Sequence, residues 1–311
     1  MQTSMNRFLT SNNNYSISIT INADRIFFGK LPCVLKCNEK LIFLTDVQGN
    51  EINKQVISKH SENFTYRIPR LHDGIYSLNI FYRPETFDMF WSYICKYQIL
   101  LEIKSAVTSF KTSSVCLSNS VKFSTCSKRW NQQNCLLPSS EIQSSNIEIR
   151  QLASDIARGK LLNYSKVLAI HDWVADNIFY DNDSIKDGSY RITDSSALGT
   201  LRTRRNVCQG YSNLSIALLR SIGIPSCEVP CYALGVSSEG GWDRKENLTN
   251  EANHVITAAF VDDRWLLMDV TWDSDNKYDN GMYSHKTGLG VSHKYFDPTL
   301  FFISNTHRFT L

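Results

Sequence analysis

Three residues of this chain have the types and order needed for thiol catalysis of acyl transfer. Cys208 lies in Asn206-Val207-Cys208-Gln209-Gly210-Tyr211-Ser212, His254 in His254-Val255-Ile256-Thr257, and Asp269 in Asp269-Val270-Thr271-Trp272-Asp273. The chemistry requires a thiolate and an imidazole that activates it and later protonates the leaving group. It also requires a carboxylate or amide that orients the imidazole. Each residue alone has a plainer explanation. Free cysteine is among the most buried residue types, the chain holds seven histidines, and an aspartate readily closes a turn. The joint order is what carries the reading.

The elements that must position these side chains can be read from spacing. Tyr211, Leu214, Ala217, Leu218 and Ile222 recur at helical intervals and predict a helix with one buried face. Gly223 supplies a C-terminal cap and Pro225 forbids continuation. Cys208 then stands at the helix N-terminus, where unpaired backbone N–H groups and the positive end of the helix dipole favour a thiolate. His254–Val261 and Arg264–Thr271 read as strands joined tightly through Asp262-Asp263. Centring the turn there puts His254 opposite Thr271, with Asp269 on the diagonal of the same face and within reach of the ring.

The 311 residues predict two domains. Hydrophobic content of 42% and charged content of 20% describe a soluble globular protein with a real core. Net charge is only +3; residues 1–140 carry 16 Lys and Arg against 9 Asp and Glu, and the remainder 17 against 21. No basic run is interleaved with aromatics, which argues against nucleic-acid binding. Nine cysteines is an odd number without framework spacing. The pairs Cys33/Cys37 and Cys227/Cys231 lack a second pair at zinc-finger spacing, so free thiols in a reducing compartment and no metal are expected. No acidic cluster has EF-hand spacing, so no calcium dependence and no cofactor are expected. The start, MQTSMNRFLTSNNN, has no apolar core of a signal peptide, and no apolar run is long enough to span a bilayer. A cytoplasmic location is expected, or a secreted one if a leader precedes this chain.

Residues 1–14 are polar and read as a flexible N-terminus. Strand-like segments follow at Tyr15–Ile21, Leu41–Val47, Phe64–Ile68, Ile75–Tyr82 and Ile99–Ile103, with turn chemistry at Gly49-Asn50 and Asp73-Gly74. They predict an all-β, immunoglobulin-like sandwich over 15–104, whose aromatic stretch Phe87–Tyr97 fits core or interdomain packing better than a ligand surface. No helix is evident before about residue 140, and 105–145, rich in Ser, Thr, Asn and Gln, read as a connecting segment. Helices are expected at Ile147–Arg158 behind Asn146 as N-cap, at Ser165–Ile178, and at Ser196–Thr203. On the second of these, Asp172 and Asp176 are expected to be solvated. Cys227–Leu234 reads as a strand and Gly235–Asn253 as a polar loop. Residues 146–311 form the expected catalytic domain.

At the level of motifs, the chain resembles the transglutaminase-like superfamily, specifically bacterial transglutaminase-core proteins described as cysteine proteases. The family's nucleophile motif, G-V-C-x-G-Y-A, appears as Asn206 to Ser212, and its H-A-W-N…D-x-T-W-D block as His254 to Thr257 followed by Asp269 to Asp273. HDWVADNIFYD upstream and KYFDPTLFFISNTHRF at the end are similar too. The resemblance implies an α+β, papain-like core with Cys208, His254 and Asp269 as triad. It also implies acyl transfer through a Cys208 thioester on a protein or peptide substrate. Hydrolysis by a cysteine protease or amidase is favoured over protein-glutamine cross-linking; a non-catalytic binding module is the remaining alternative. The backbone N–H of Cys208 is one oxyanion donor, and Tyr180 and Gln209 are further oxyanion or cleft candidates. Trp272 and Trp242 are candidate cleft walls. Asn206 stands where the family has glycine, and Ile256-Thr257 where it has Trp-Asn. The latter pair is expected at the cleft floor, where loss of an aromatic would admit water. Oligomeric state is not legible.

Overall fold

The computed structural model describes residues 6–10, 17–21, 26–30, 37–46, 50–57, 63–84, 94–105, 107–111, 114–235, 242, 251–298 and 300–311. The chain divides into two compact units, Met1–Leu117 with Thr299–Phe302, and Ser118–Pro298 with Ile303–Leu311.

The first unit is built of β1 (Asn6–Thr10), β2 (Ile17–Ile21), β3 (Ile26–Lys30), β4 (Cys37–Asp46), β5 (Glu51–Ile57), β6 (Asn63–Arg67), β7 (Gly74–Pro84), β8 (Ile94–Lys104) and β9 (Val107–Lys111). They form two antiparallel sheets in the orders β1-β2-β3-β6 and β5-β4-β7-β8-β9. Ile42, Leu44, Leu78, Leu101 and Ile103 are buried, as is Tyr66 from the other sheet. The Tyr66 hydroxyl donates to Asn53 Oδ1 at 2.9 Å, so its buried polar end is paired. Most of Phe87–Tyr97 lies outside the described residues.

Two expectations fail here. Residues 6–10 are a strand, because β1 pairs with β2 from Asn6↔Ile21 to Thr10↔Ile17; backbone pairing leaves no trace in a polar composition. Residues 105–145 are not an irregular connection, since they hold β9 and α1 (Ser114–Arg129). The α1 sequence SVCLSNSVKFSTCSKR has few strong helix formers. Its buried positions Val115, Cys116, Asn119 and Phe123 do have helical spacing, but one of them is an asparagine, which hides the stripe.

The second unit continues with α2 (Ile147–Ala157), α3 (Asn163–Asn177), β10 (Phe179–Asp181), α4 (Asn182–Asp187), α5 (Ala197–Thr203), β11 (Arg205–Asn206), α6 (Cys208–Ser221) and β12 (Ser226–Ala233). Then come β13 (His254–Val261), β14 (Arg264–Met268), α7 (Val270–Asp273), β15 (Asn276–Asp279), β16 (Met282–His285) and β17 (His307–Phe309), with α8 (Leu300–Ile303) between β16 and β17 and mostly within the stretch grouped with the first unit. Asn146 caps α2 by accepting from the Glu148 N–H, and Ser196 caps α5 by accepting from the Gly199 N–H. Two sheets have the orders β14-β13-β12-β17 and β11-β10-β15-β16. α6 packs against α2, α3, α5 and the β12–β13 pair.

The burial of α6 exceeds the single face expected of it. Gly210 to Leu219 are all buried. Its polar members are satisfied locally: Ser212 Oγ meets Thr257 Oγ1 at 3.0 Å, Asn213 donates to Ser195 O, and Tyr211 OH donates to Ile178 O. The helix is therefore a fixed central post rather than a surface helix. Gly223 follows it at φ 81°, the left-handed conformation a C-terminal cap needs.

Candidate active site

Cys208 is the first residue of α6, after Val207 in extended conformation with no side chain capping the helix. The turn before it depends on a tight fit. Asn206 is 1% exposed; its amide donates to Asp194 O at 2.9 Å and Thr200 Oγ1 at 3.0 Å, and its Oδ1 accepts from the Val207 N–H at 2.9 Å. A Cβ at Gly210 would lie 2.3 Å from Asn206 Cγ and 2.5 Å from Thr200 Oγ1. Gly210 thus makes room for the side chain that replaces the family glycine at 206.

His254 opens β13, beside Cys231 of β12. The hairpin register runs from Val261↔Arg264 to Thr257↔Met268, as a turn centred on Asp262-Asp263 dictates, and both turn residues have positive φ. The second strand is shorter than expected. It ends at Met268, and Asp269 instead N-caps α7, Oδ1 accepting the Trp272 N–H at 3.1 Å. The turn of the chain still brings Asp269 Oδ2 to 2.8 Å from His254 Nε2. The ring also hydrogen-bonds the Cys208 side chain; with Nε2 committed to Asp269, Nδ1 is the nitrogen left for the thiol.

The electrostatics follow from this contact. Burial alone would depress the imidazolium form of His254, but the Asp269 charge and hydrogen bond, with Cys208, outweigh it and raise the ring to about 10. Burial alone would raise Asp269, but His254 and then His307 hold it well below the ordinary carboxylate range. A second histidine was not singled out from the sequence. His307 Nε2 lies 3.1 Å from the same Asp269 Oδ2, and its Nδ1 lies 2.9 Å from Thr306 Oγ1. Its only advance signal was its place in the closing segment that resembles the family.

The other expected residues fall in different places. Tyr180 pairs in parallel with Asn206, two residues before the thiol. Burial, followed by the nearby Cys208 and Asp269 charges, pushes its phenol up to about 12. The Gln209 amide nitrogen is committed to Glu228 and Asn213. Trp272 has its ring centroid 6.0 Å from His254 and 4.6 Å from His307. Trp242 instead donates through Nε1 to Ser304 O at 2.7 Å, with its ring 6.5 Å from Tyr232. Ile256 and Thr257 are each 1% exposed. They belong to the core and not to a cleft floor, because β13 is a central strand covered by α6 on one face.

Asp172, expected to be solvated, joins a second cluster. Its Oδ1 lies 2.9 Å from His171 Nδ1 and 2.7 Å from His293 Nε2, while His171 Nε2 lies 3.2 Å from Asp273 Oδ2. Among the described residues, the sets His171/Asp172/His293 and His254/Asp269/His307 have three potential metal-ligand atoms within 4.8 Å of one another. In both, the carboxylate already hydrogen-bonds the two imidazoles that would be its co-ligands, so neither needs an ion to satisfy it. The cysteines 116, 126, 135, 208, 227 and 231 are free. No helix of the described residues is long and apolar enough to cross a membrane.

A thiol on the first turn of a buried helix, facing a histidine at the start of a central strand of an adjoining sheet, defines a thiol-centred α+β core. Residues 150–270, 39% of the chain, match the model of the Transglutaminase-like superfamily. Over 129 residues, 40% of the chain, it is 28% identical to kyphoscoliosis peptidase of Mus musculus; over 127 residues it is 28% identical to that of Homo sapiens. The match spans 18% of the length of each relative. A solved candidate cysteine protease from Cytophaga hutchinsonii is 20% identical with a TM-score of 0.34, covering 76% of this chain and 73% of that one. A TGase is 14% identical with a TM-score of 0.32, covering 60% and 47%.

Proposed function

We propose that this protein is a thiol enzyme that cleaves or transfers amide acyl groups through a thioester on Cys208. His254 removes the thiol proton through Nδ1 and later returns it to the leaving amine. Asp269 holds the ring with Nδ1 toward sulfur and stabilises the imidazolium. The observation that carries the reading is the His254 Nε2–Asp269 Oδ2 contact of 2.8 Å, made on the side of the ring away from the thiol. The uncapped first turn of α6 leaves the Cys208 N–H available to an oxyanion, and the position of Tyr180 on the neighbouring strand supports it as a second donor.

Water is the favoured acceptor, which makes the enzyme a cysteine peptidase or amidase. The peptidase name of the mouse and human relatives supports this choice. The buried Ile256 and Thr257 do not bear on it. Two antiparallel sheets in the N-terminal unit support an immunoglobulin-like module appended to the core.

The test is incubation with a glutamine-containing protein and excess labelled primary amine. Peptide fragments or ammonia, lost on Cys208→Ala, support hydrolysis. Stoichiometric Cys208-dependent amine incorporation identifies a cross-linking transferase. Absence of every product, with Cys208 no more reactive toward iodoacetamide than Cys126, rejects catalysis in favour of a binding module.

A further inference from the structure

We infer that His307 is a positioning residue for the thiol chemistry, acting through Asp269 as a second imidazole donor on the carboxylate that orients His254. The inference rests on the reading of Cys208, His254 and Asp269 given above and adds a residue outside the matched region 150–270.

Hydrogen-bond accounting leads to it. An ionised carboxylate only accepts. His254 and His307 both present Nε2 to Asp269 Oδ2, at 2.8 and 3.1 Å. Both nitrogens must therefore carry protons. In a neutral His307 this leaves Nδ1 as an acceptor, and the Thr306 hydroxyl lies 2.9 Å from it. A neutral ring with its proton on Nε2 matches both nitrogens, Asp269 accepting and the Thr306 hydroxyl donating, while the ring's contact with the Ile303 carbonyl pulls toward the charged form. Burial supports the neutral form by pushing its pKa down, against the opposing pull of Asp269.

The consequence is a carboxylate that cannot turn. Asp269 Oδ1 accepts from the Trp272 N–H, and Oδ2 accepts from two rings. Without His307, one oxygen of a fully buried charge would lose a donor, and the rotamer that aims Oδ2 at His254 would lose its counterweight. Trp272 completes the frame, lying against both rings, and Tyr295 lies 5.5 Å from His307.

His307 is itself fixed from far along the chain. β17 pairs with β12 through Ala233↔His307 and Cys231↔Phe309. Asn119 of α1, 0% exposed, donates to His307 O at 2.8 Å and to Ser304 Oγ at 2.9 Å, and its Oδ1 accepts from the Phe309 N–H. A buried asparagine with these bonds met is a costly device to place on a helix. What it holds is the strand that starts with His307.

The test uses His307→Leu, which keeps an apolar body of similar size and removes the donor, and His307→Gln, whose Nε2 can replace the lost N–H. The readouts are the second-order rate of Cys208 alkylation by iodoacetamide at pH 7, the melting temperature, and the imidazole nitrogen spectrum of the full chain. His307→Leu is expected to slow alkylation at least ~10-fold, that is by about 1.4 kcal/mol or more, and His307→Gln to recover it to within ~3-fold of wild type. The wild-type spectrum is expected to show His307 neutral with the proton on Nε2. A wild-type rate in a folded His307→Leu protein overturns the inference, as do equal losses in both variants that track melting temperature, or a proton on Nδ1. If wild-type Cys208 is itself unreactive and His254→Ala changes nothing, the thiol-enzyme reading fails instead, and the nitrogen spectrum still decides the His307 tautomer.

Discussion

Two clusters in this protein share one design and differ in a single partner. In one, Asp269 Oδ2 joins His254 and His307; in the other, Asp172 Oδ1 joins His171 and His293. The paired rings lie 5.6 Å apart in both, at 44° and 35°. The second nitrogen of His254 is left for a thiol. That of His171 faces another carboxylate, Asp273, at 3.2 Å. A ring between two carboxylates is saturated as an imidazolium and serves as a clamp between α3 and α7. A ring between a carboxylate and a thiol still has a proton to exchange. The lesson is that the His–Asp pair confers no chemistry by itself; the identity of the third group does.

The sharpest way to break this comparison is to neutralise each carboxylate. Asp269→Asn is expected to lower turnover by about two to four orders of magnitude, by analogy with serine triads. Asp172→Asn, without a thiol in its cluster, should leave turnover within roughly 3-fold. Product formation from the same acyl substrate measures both; comparable losses would mean that the clusters operate as one unit joined through α7.

The second prediction concerns pH and stability. Burial opposes the His171 charge, but Asp172 and Asp273 outweigh it and raise the ring from 6.5 to about 9. Burial likewise opposes the Asp172 charge, yet His171 and His293 lower it from 3.8 to about 2. A raised histidine contributes stability that is fully present below its unfolded value of 6.5 and is lost as pH rises through about 9. A lowered aspartate contributes above 3.8 and loses it as pH falls through about 2. The contributions of His171 and Asp172 are therefore jointly largest between about pH 4 and 6.5, while burial pushes Asp273 up and works against them as that carboxyl ionises. Melting temperature should fall by several degrees from pH 6.5 to 9, on the order of a few kcal/mol at most. His171→Gln should flatten that slope, measured by calorimetry across the range. An unchanged slope would place the titrating group elsewhere.

A smaller effect is expected where the thiol's own turn is packed. Gly210→Ala puts a methyl group into Asn206 and Thr200, and should cost about 1–3 kcal/mol of stability. Asn206→Gly in the same chain should recover part of it, because one of the two obstructing side chains is gone. Denaturant titration of the single and double variants checks the coupling. Additive losses would show that the clash is relieved by backbone movement and not by Asn206.

The contrast between local and distant contacts explains what could be read in advance. Cys208 at a helix start, the Gly223 cap and the Asp262-Asp263 hairpin were legible, since each depends on neighbours within a turn or a two-residue loop. The reach of Asp269 to His254 followed from the hairpin register, over 15 residues. The early end of β14, the all-round burial of α6 and the core placement of Ile256 and Thr257 were not legible. Periodicity reports which residues alternate; it does not report how many layers will cover them. His307 meets Asp269 across 38 residues and Asn119 meets His307 across 188. Asp172 meets His293 across 121. By itself the sequence picked out Cys208, His254 and Asp269, their order and most of the elements that carry them. The tertiary structure alone decided which histidine faces a thiol and which faces a second carboxylate. That choice rests on side chains converging from distant segments, and no local spacing encodes it.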